Sequence, residues 1–395
     1  MQLRYKLKTQ YLIYNNYFTK RDKMLIYFLL IPLIWFSSRI ASKRDKFGFL
    51  MIAVVLLTLV AGLRGENVGI DTRSYISKFE CIADGHPELA YGLETGFKFL
   101  IKCILKIWNN SSFVLTVIAF FTNYLIIRRL WDFREIASVP CMVLCYYAGF
   151  YSFTFNIMRQ FLAIAVIFYF SRLLERRKYI YFLFVVILSA IFLHRTALIC
   201  VAFIVADLFL WKKLSKKQRR IIALGFGAAI IAIPIAYNYL IGDFLSKYIK
   251  YFAVKIENLG FMIPAKMAFL AVSLYISKSR IFPKNTSHLS EEEFQEFRRR
   301  KTAAVYYFTG LMLSLLGYFF SFMDRIGFYF LIFECVYFGM ITKSYTKETD
   351  TYSAQMASRN NAFIYSAMLL LIVGYGFIVG LLGRGQGIVP YYLHK

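Results

Sequence analysis

Apolar runs long enough to cross a bilayer recur along the whole chain and leave no room for a soluble domain between them. A spanning helix needs about 20 mostly apolar residues, and its backbone must satisfy its hydrogen bonds internally. The runs that meet this demand lie at 24–38, 47–63, 112–127, 138–154, 160–173, 179–193, 197–211, 220–240, 263–279, 303–320, 326–342 and 361–382. The sequence therefore predicts an all-α, polytopic membrane helix bundle with about 12 (12–14) transmembrane helices.

The composition agrees with a membrane protein. Hydrophobic residues make up 59% of the chain, yet 48 basic and 22 acidic residues give a net charge of +26. The basic residues form short clusters between apolar runs and no continuous stripe, which indicates membrane topology and argues against nucleic acid as a partner. The cysteines are scattered, and no metal-ligand spacing is present. We therefore expect no bound metal and no other cofactor.

Lys and Arg residues mark the cytoplasmic side of a membrane protein. One alternating set of loops is clearly richer in these residues and is predicted to be cytoplasmic: 39–46, 128–137, 172–178, 212–220, 278–301 and 343–359. The basic cluster 298–301 in this set is interpreted as a solvated loop and not as a site. The other loops are then predicted to face outward.

Residues 1–23 disturb this topology, because they are also rich in Lys and Arg and give the first span positive flanks on both sides. Two interpretations remain open. Residues 94–108 could form a further span, or Met24 could be the native start. We favour the second, which makes 1–23 an N-terminal extension that is not native and 24–395 a single polytopic membrane domain.

The segment 94–108 has a pattern of its own. Lys98, Lys102 and Lys106 recur every fourth residue and so form one charged stripe on a short helix. Such a helix is too short and too charged to cross a bilayer. The pattern is typical of an interfacial or re-entrant helix on the outer face of the membrane.

Short polar motifs gather in the predicted outward segments 64–111, 155–160, 194–196 and 321–325. A charged side chain at the mouth of an apolar helix is costly and is expected to face a polar cavity or a partner. Several arginines on one side of a bundle suit a phosphate, because a guanidinium donates two parallel charge-assisted hydrogen bonds. The candidate site residues are Arg64, Asp71, Arg73, Glu94, Asn156, Arg159, Gln160, His194, Arg195, Asp324 and Arg325.

Most of these residues also admit a structural interpretation. Arg64, Arg195 and Arg325 could be interfacial anchors whose charged heads reach the lipid headgroups. His194 could hydrogen-bond to a carbonyl group, and Asp71 could cap the helix that begins after it. For Arg159, a functional role is favoured, because it sits in an Asn-x-x-Arg-Gln cluster that opens a span on the side where positive residues are scarce.

The motifs have a characteristic order. They are Arg64-x-x-x-Val68-Gly69-x-Asp71-Thr72-x-x-Tyr75, Glu94-x-Gly96-Phe97, Phe155-Asn156-x-x-Arg159-Gln160-x-x-Ala163, His194-x-Thr196-Ala197-Leu198, Arg325-x-x-x-Tyr329-Phe330 and Pro390-Tyr391. This set resembles the EpsG family, polytopic bacterial proteins related to the Wzy polymerases of exopolysaccharide, capsule and O-antigen. The resemblance runs from about Met24 to the C-terminus. Thr95 and Thr196 depart from it, since Pro and Ser are common at these positions.

The resemblance implies a polysaccharide polymerase of the bacterial inner membrane. Such an enzyme transfers a glycan from undecaprenyl diphosphate to the nonreducing end of a second lipid-linked repeat unit at the outer leaflet, beside a flippase and a chain-length regulator. Arg64, Arg73, Arg159 and Arg325 would bind the diphosphates, and His194 or Asp71 would accept the acceptor proton. The rest of the substrate site would be Glu94, Asn156, Gln160, Arg195 and Asp324.

Three other functions fit a basic polytopic bundle. A lipid-linked oligosaccharide transporter or flippase would more typically have repeat-related halves and ionisable residues at mid-membrane, whereas these motifs lie at one face. A non-catalytic assembly subunit would need no constellation of polar residues. A lipid-linked glycan ligase would share the chemistry and differ only in the acceptor.

The predicted topology can be tested by cysteine labelling with a membrane-impermeant reagent in a cysteine-free variant. A cysteine at Asn67 should be labelled in intact cells and one at Lys43 should be protected, because the basic loops are expected in the cytoplasm. The reverse pattern would contradict the assignment and would favour 94–108 as a true span.

Overall fold

The computed structural model describes residues 24–211, 215–218, 220–221, 289–317, 321–343 and 386–393, together with isolated positions between 267 and 275 and between 356 and 381. Within these residues every regular element is a helix, and one isolated β-bridge pairs Arg64 with Leu393. The predictions for 1–23, for the loop 241–262 and for most of the spans 220–240, 263–279 and 361–382 lie outside the described residues.

The chain divides into two compact units. The first comprises Met1–Arg134, Ser138–Ala165 and Ser366–Lys395, and the second comprises Glu135–Ala137 and Val166–Tyr365. The described helices of the first unit are α1 (Leu25–Arg44), α2 (Leu50–Gly62), α3 (Thr72–Ala83), α4 (Thr95–Ile107), α5 (Ser111–Asp132) and α6 (Val139–Gly149), with 3-10 helices at Phe47–Phe49, Pro87–Leu89 and Tyr151–Phe155. Helix α7 (Met158–Phe170) begins in the first unit and ends in the second.

The described helices of the second unit follow in the same order. They are α8 (Arg172–Glu175), α9 (Tyr179–Phe192), α10 (Val201–Trp211), α11 (Glu291–Leu316), α12 (Ser321–Leu331) and α13 (Glu334–Thr342), with a 3-10 helix at Arg195–Cys200. Each predicted span that falls inside the described ranges contains a helix, so the all-α class is confirmed.

Length and composition restrict which helices could cross a membrane. Among the described residues, α1 with 20 residues and α5 with 22 residues are long and apolar enough. Helices α12 and α13 add a third span if they are counted as one helix bent by 41°. These apolar helices fit a helical membrane protein, and the number of about 12 spans remains a prediction.

The first unit is built on helices that pack through small residues and buried hydroxyl groups. Helix α2 lies against α5, and a β-carbon at Gly62 would lie only 2.6 Å from Thr116 Cα. Small residues allow this close approach between membrane helices. The buried Tyr146 hydroxyl donates to Asn123 Oδ1 at 2.7 Å, and Tyr151 donates to the Leu57 carbonyl at 2.6 Å. The unit therefore satisfies these polar groups internally.

Helix α4 has the predicted amphipathic pattern. Phe97 and Ile101 are fully buried, while Lys102 and Lys106 are exposed. At 13 residues the helix is short for a bilayer span, since it rises about 1.5 Å per residue. Its place at the membrane interface remains a prediction. The helix begins directly after Glu94, which is one of the candidate site residues.

In the second unit, α11 and α12 pack closely at two glycines. A β-carbon at Gly310 would lie 2.5 Å from the Leu331 backbone nitrogen, and one at Gly327 would lie 3.1 Å from Ser314 Oγ. The first contact involves backbone, which cannot move aside as the end of a side chain can. Gly310 therefore determines how closely the two helices approach.

The prediction of a solvated loop at 298–301 is wrong, because these residues lie inside α11. Arg298 Nη2 is 3.1 Å from both carboxylate oxygens of Asp207, and the two side chains are 4% and 3% exposed. The Tyr179 hydroxyl also donates to Asp207 at 2.8 Å. The local run of charges gives no sign of this pair, because the aspartate lies within the apolar run 197–211.

Glu334 is not in the middle of a straight span. It begins α13 directly after the bend that follows α12, and it is 1% exposed. The first turn of a helix favours a carboxylate, because the free backbone N–H groups and the helix dipole are positive there. The bend therefore reduces the cost of burying this residue.

The glycine contact between α11 and α12 gives a stability prediction. Gly310→Ala should destabilise the protein by about 1–3 kcal/mol, because the added methyl group overlaps the Leu331 backbone. Gly149→Ala is the matched control, since a β-carbon there meets nothing within 4 Å. Thermal unfolding of the purified protein measures both. Equal melting temperatures for the two variants would contradict the close contact.

Candidate active site

Arg64 joins three segments of the first unit. It is 1% exposed; Nε donates to Thr72 Oγ1 at 3.0 Å, Nη2 donates to the Phe155 carbonyl at 3.2 Å, and Nη1 donates to the Ala61 carbonyl. The guanidinium carbon lies 4.8 Å from the centroid of the Phe155 ring, within cation–π range. Burial lowers the pKa of Arg64 to about 10, which keeps it charged at neutral pH. The charge therefore ties α2, α3 and the segment before α7 together.

Hydrogen bonds close the loop between α2 and α3. The surrounding atoms leave no room for a side chain at Gly69. Thr72 Oγ1 donates to the Val68 carbonyl at 2.7 Å, and the Asp71 N–H group donates to Asn156 Oδ1 at 3.4 Å. Gly69 has a φ of +93°, and a β-carbon there would lie 3.0 Å from Asn156 Oδ1. Glycine is required both for this backbone conformation and for the close approach.

The C-terminal segment 386–393 lies along the same loop. Gly65 donates its N–H group to the Tyr392 carbonyl at 2.6 Å, and Gly69 donates to the Gly387 carbonyl at 2.8 Å. Asn156 Nδ2 contacts both the carbonyl and the side-chain oxygen of Gln386, at 2.9 and 2.5 Å. The sequence analysis missed Gln386. The only signal near it was the motif Pro390-Tyr391.

Arg159 and Glu94 form an ion pair at the ends of two helices. Their side chains are 16% and 8% exposed, and Glu94 lies directly before α4. The Arg159 guanidinium lies 6.0 Å from the centroid of Phe97, and it also interacts with Tyr75. Glu94 therefore orients one edge of the guanidinium, and the buried Nε–H group has no hydrogen-bond partner among the described residues.

Lys78 belongs to the same cluster and was missed by the sequence analysis. It lies one turn after Tyr75 on α3, with Nζ 5.9 Å from the Tyr75 ring centroid. Burial and the nearby Arg159 charge lower the pKa of Lys78, while Asp71 acts in the opposite direction. The spacing of Lys78 from Asp71 and Tyr75 in the sequence could have indicated this cluster, because all three residues fall on one side of α3.

The remaining predicted residues of the first unit differ in exposure. Asp71 occupies the N-cap position of α3, but its side chain makes no capping hydrogen bond. Arg73 is 77% exposed, with its Nε atom 3.9 Å from Glu66. Gln160 directly follows Arg159 and is 2% exposed. The capping role considered for Asp71 is therefore wrong.

A second polar cluster lies in the second unit. His194 is half-buried directly before the 3-10 helix Arg195–Cys200, and its backbone N–H group donates to the Ser189 carbonyl at 2.9 Å. The Thr196 and Tyr329 hydroxyl oxygens are 3.1 Å apart, so this 3-10 helix contacts α12. Arg325 lies one turn before Tyr329.

The predicted site residues therefore fall into two groups. Seven motif residues belong to the first unit: Arg64, Asp71, Arg73, Glu94, Asn156, Arg159 and Gln160. Four belong to the second: His194, Arg195, Asp324 and Arg325. In the described ranges, no three His, Cys, Asp or Glu side chains are arranged to hold a metal ion.

Fold and site together define a helical membrane protein with a partly buried polar cluster at the ends of its helices. A sequence model of the EpsG family matches residues 47–393, and the chain belongs to this family. The resemblance inferred from the motifs is thus confirmed. It makes the chain a membrane protein of polysaccharide biosynthesis. Neither a curated protein nor a solved structure matches the chain.

The contact between Asn156 and Gln386 can be measured with a double-mutant cycle. Asn156→Ala, Gln386→Ala and the double variant should give a coupling free energy of about 0.5–3 kcal/mol, because either substitution breaks the same hydrogen bond between the two side chains. Thermal unfolding of the purified full chain provides the three values. Additive effects would mean that the C-terminal segment is not held by this hydrogen bond.

Proposed function

We propose that the chain is a polysaccharide polymerase of the bacterial inner membrane with about 12 transmembrane helices. It transfers a glycan from undecaprenyl diphosphate to the nonreducing-end hydroxyl of a second lipid-linked repeat unit at the outer leaflet. The observation that carries the proposal is the Arg159–Glu94 pair, which leaves the Arg159 Nε–H group without a protein partner in the described residues. A flippase would deliver the substrate, and a chain-length regulator would act on the product.

The reaction breaks the bond between the anomeric carbon and the diphosphate oxygen and forms a bond from that carbon to the acceptor oxygen. The acceptor loses its proton to a base, and the diphosphate leaves with the electron pair. Negative charge therefore grows on the diphosphate in the transition state. A positioned guanidinium stabilises that charge, and removal of one such donor typically costs about 10²- to 10³-fold in rate.

The structure supports different roles for the four arginines. Arg159 is assigned to the diphosphate, with Glu94 as the residue that orients it. Arg73 is exposed and remains assigned to the same anion. Arg64 is 1% exposed and already donates to Thr72 and two carbonyl groups, so we reassign it to a positioning role. Arg325 is exposed in the second unit and remains assigned to a diphosphate.

The base that accepts the proton is assigned to His194 or Asp71. The Asp71 carboxylate is half-buried and makes no capping bond to α3, which leaves it able to act. His194 is also half-buried, and histidine is the side chain that most often acts as a general base. Asn156, Gln160, Arg195 and Asp324 are assigned to the substrate site. No step of this scheme requires a metal ion.

Two substitutions test the catalytic assignment. Arg159→Lys should abolish the polymer ladder although the charge is kept, because an ammonium lacks the bidentate fork. His194→Ala should lower the rate by about 10²- to 10⁴-fold if the imidazole is the base. Polymer length is measured by gel electrophoresis at matched membrane expression in a strain that lacks the chromosomal gene.

Arg134→Lys is the control, because Arg134 forms an ion pair with Asp45 and neither residue is among the candidate site residues. It should give wild-type ladders. Wild-type ladders from Arg159→Lys and His194→Ala would contradict their roles. Accumulation of single lipid-linked repeat units would support polymerase activity, whereas completed polymer left on its lipid carrier would indicate a ligase.

A further inference from the structure

The charges of the first unit are unevenly compensated. Arg159 is paired with Glu94, and Arg73 lies 3.9 Å from Glu66. Arg64 is buried and donates to neutral oxygen atoms of the loop. An arginine that already faces a carboxylate attracts a further anion less strongly, because the nearby negative charge offsets its own. A site for a diphosphate on this unit needs an additional positive charge.

Lys78 is the cation that meets this need. It forms no ion pair within the part of the chain that the structure describes, and it is half-buried on α3. Its charged neighbours are Arg159 on α7, which repels it, and Asp71 before α3, which attracts it. Two like charges close together in a partly buried place repel each other, and an anion bound between them would reduce that repulsion further than Asp71 and Glu94 do.

The aromatic side chain of Tyr75 connects the two cations. Lys78 Nζ lies 5.9 Å from its ring centroid, within cation–π range, and Tyr75 also interacts with Arg159. Tyr75 is 7% exposed, so its position is defined by packing. The ammonium and the guanidinium are thus both held beside the Tyr75 side chain.

We propose that Lys78 and Arg159 together bind the diphosphate of the lipid-linked substrate, with Lys78 as the second cation and Tyr75 as the side chain that positions both. This inference rests on the proposed function and specifies which groups recognise the leaving diphosphate. A monophosphate would occupy one cation, whereas a diphosphate would occupy both. The site should therefore prefer a polyprenyl diphosphate over the phosphate of a membrane phospholipid.

The test is binding of undecaprenyl diphosphate to the purified full chain in detergent, with phosphatidylglycerol as the second probe. Lys78→Gln should weaken diphosphate binding about tenfold or more, because a charge-assisted hydrogen bond is lost. Lys78→Arg should retain most of the affinity, since it keeps the charge. Phosphatidylglycerol should bind weakly and equally to the wild type and both variants.

Lys102→Gln is the matched control, because it removes the same charge from an exposed position on α4. It should leave diphosphate binding unchanged. Equal affinity of Lys78→Gln and the wild type would overturn the inference, and so would equal weakening by Lys78→Gln and Lys102→Gln. If Lys78→Gln does not fold, Lys78→Met, which keeps the aliphatic stem, is measured by the same criteria.

The outcome for Lys78 can be separated from that of the proposed function. If the wild-type protein neither binds undecaprenyl diphosphate nor restores polymer in the deletion strain, the proposed function fails. If the wild type does both and Lys78→Gln matches it in both measurements, only the role of Lys78 fails. Loss of binding together with accumulation of single repeat units in Lys78→Gln would support both.

Discussion

The burial of the Arg64 guanidinium is the interaction on which the arrangement of the first unit depends. A buried charge is tolerated only when its hydrogen bonds are satisfied, and the donors of Arg64 are directed at the end of α2, at Thr72 and at the Phe155 carbonyl. Satisfying this one charge therefore brings together segments that are far apart in sequence. The backbone N–H groups of Gly65 and Gly69 then donate hydrogen bonds that hold the C-terminal segment against the same loop.

This arrangement separates the charges that hold the structure from those that the proposed function assigns to the substrate. Arg64 is buried and engaged, whereas Arg159 is oriented by Glu94 and retains an Nε–H group without a partner among the described residues. Lys78 adds a charge that no carboxylate pairs with in the described region. In the second unit, the buried ion pair of Arg298 and Asp207 also holds the structure. Arginine occurs in both groups, and the burial of each arginine decides its role.

Much of the fold was predictable because lipid permits few solutions for a backbone. Apolar runs such as 112–127 had to be helical, since a helix satisfies its own hydrogen bonds, and the structure has α5 there. Helix α4 was predictable from its lysine spacing. The role of Arg298 was not, because its partner Asp207 lies in a run that reads as apolar and is distant in sequence. The capping role considered for Asp71 was also wrong, since a capping hydrogen bond depends on a side-chain geometry that residue type alone does not specify.

The sequence by itself determined the helical membrane class, the family and most of the candidate residues, because hydrophobic length and motif order are local properties that survive without coordinates. Only the tertiary structure decided which of those residues meet. It showed that Glu94 pairs with Arg159, that Gln386 contacts Asn156, and that Lys78 Nζ lies 5.9 Å from the centroid of the Tyr75 ring. These outcomes depend on distances between segments far apart in the chain, and such distances follow from packing and the satisfaction of buried charge.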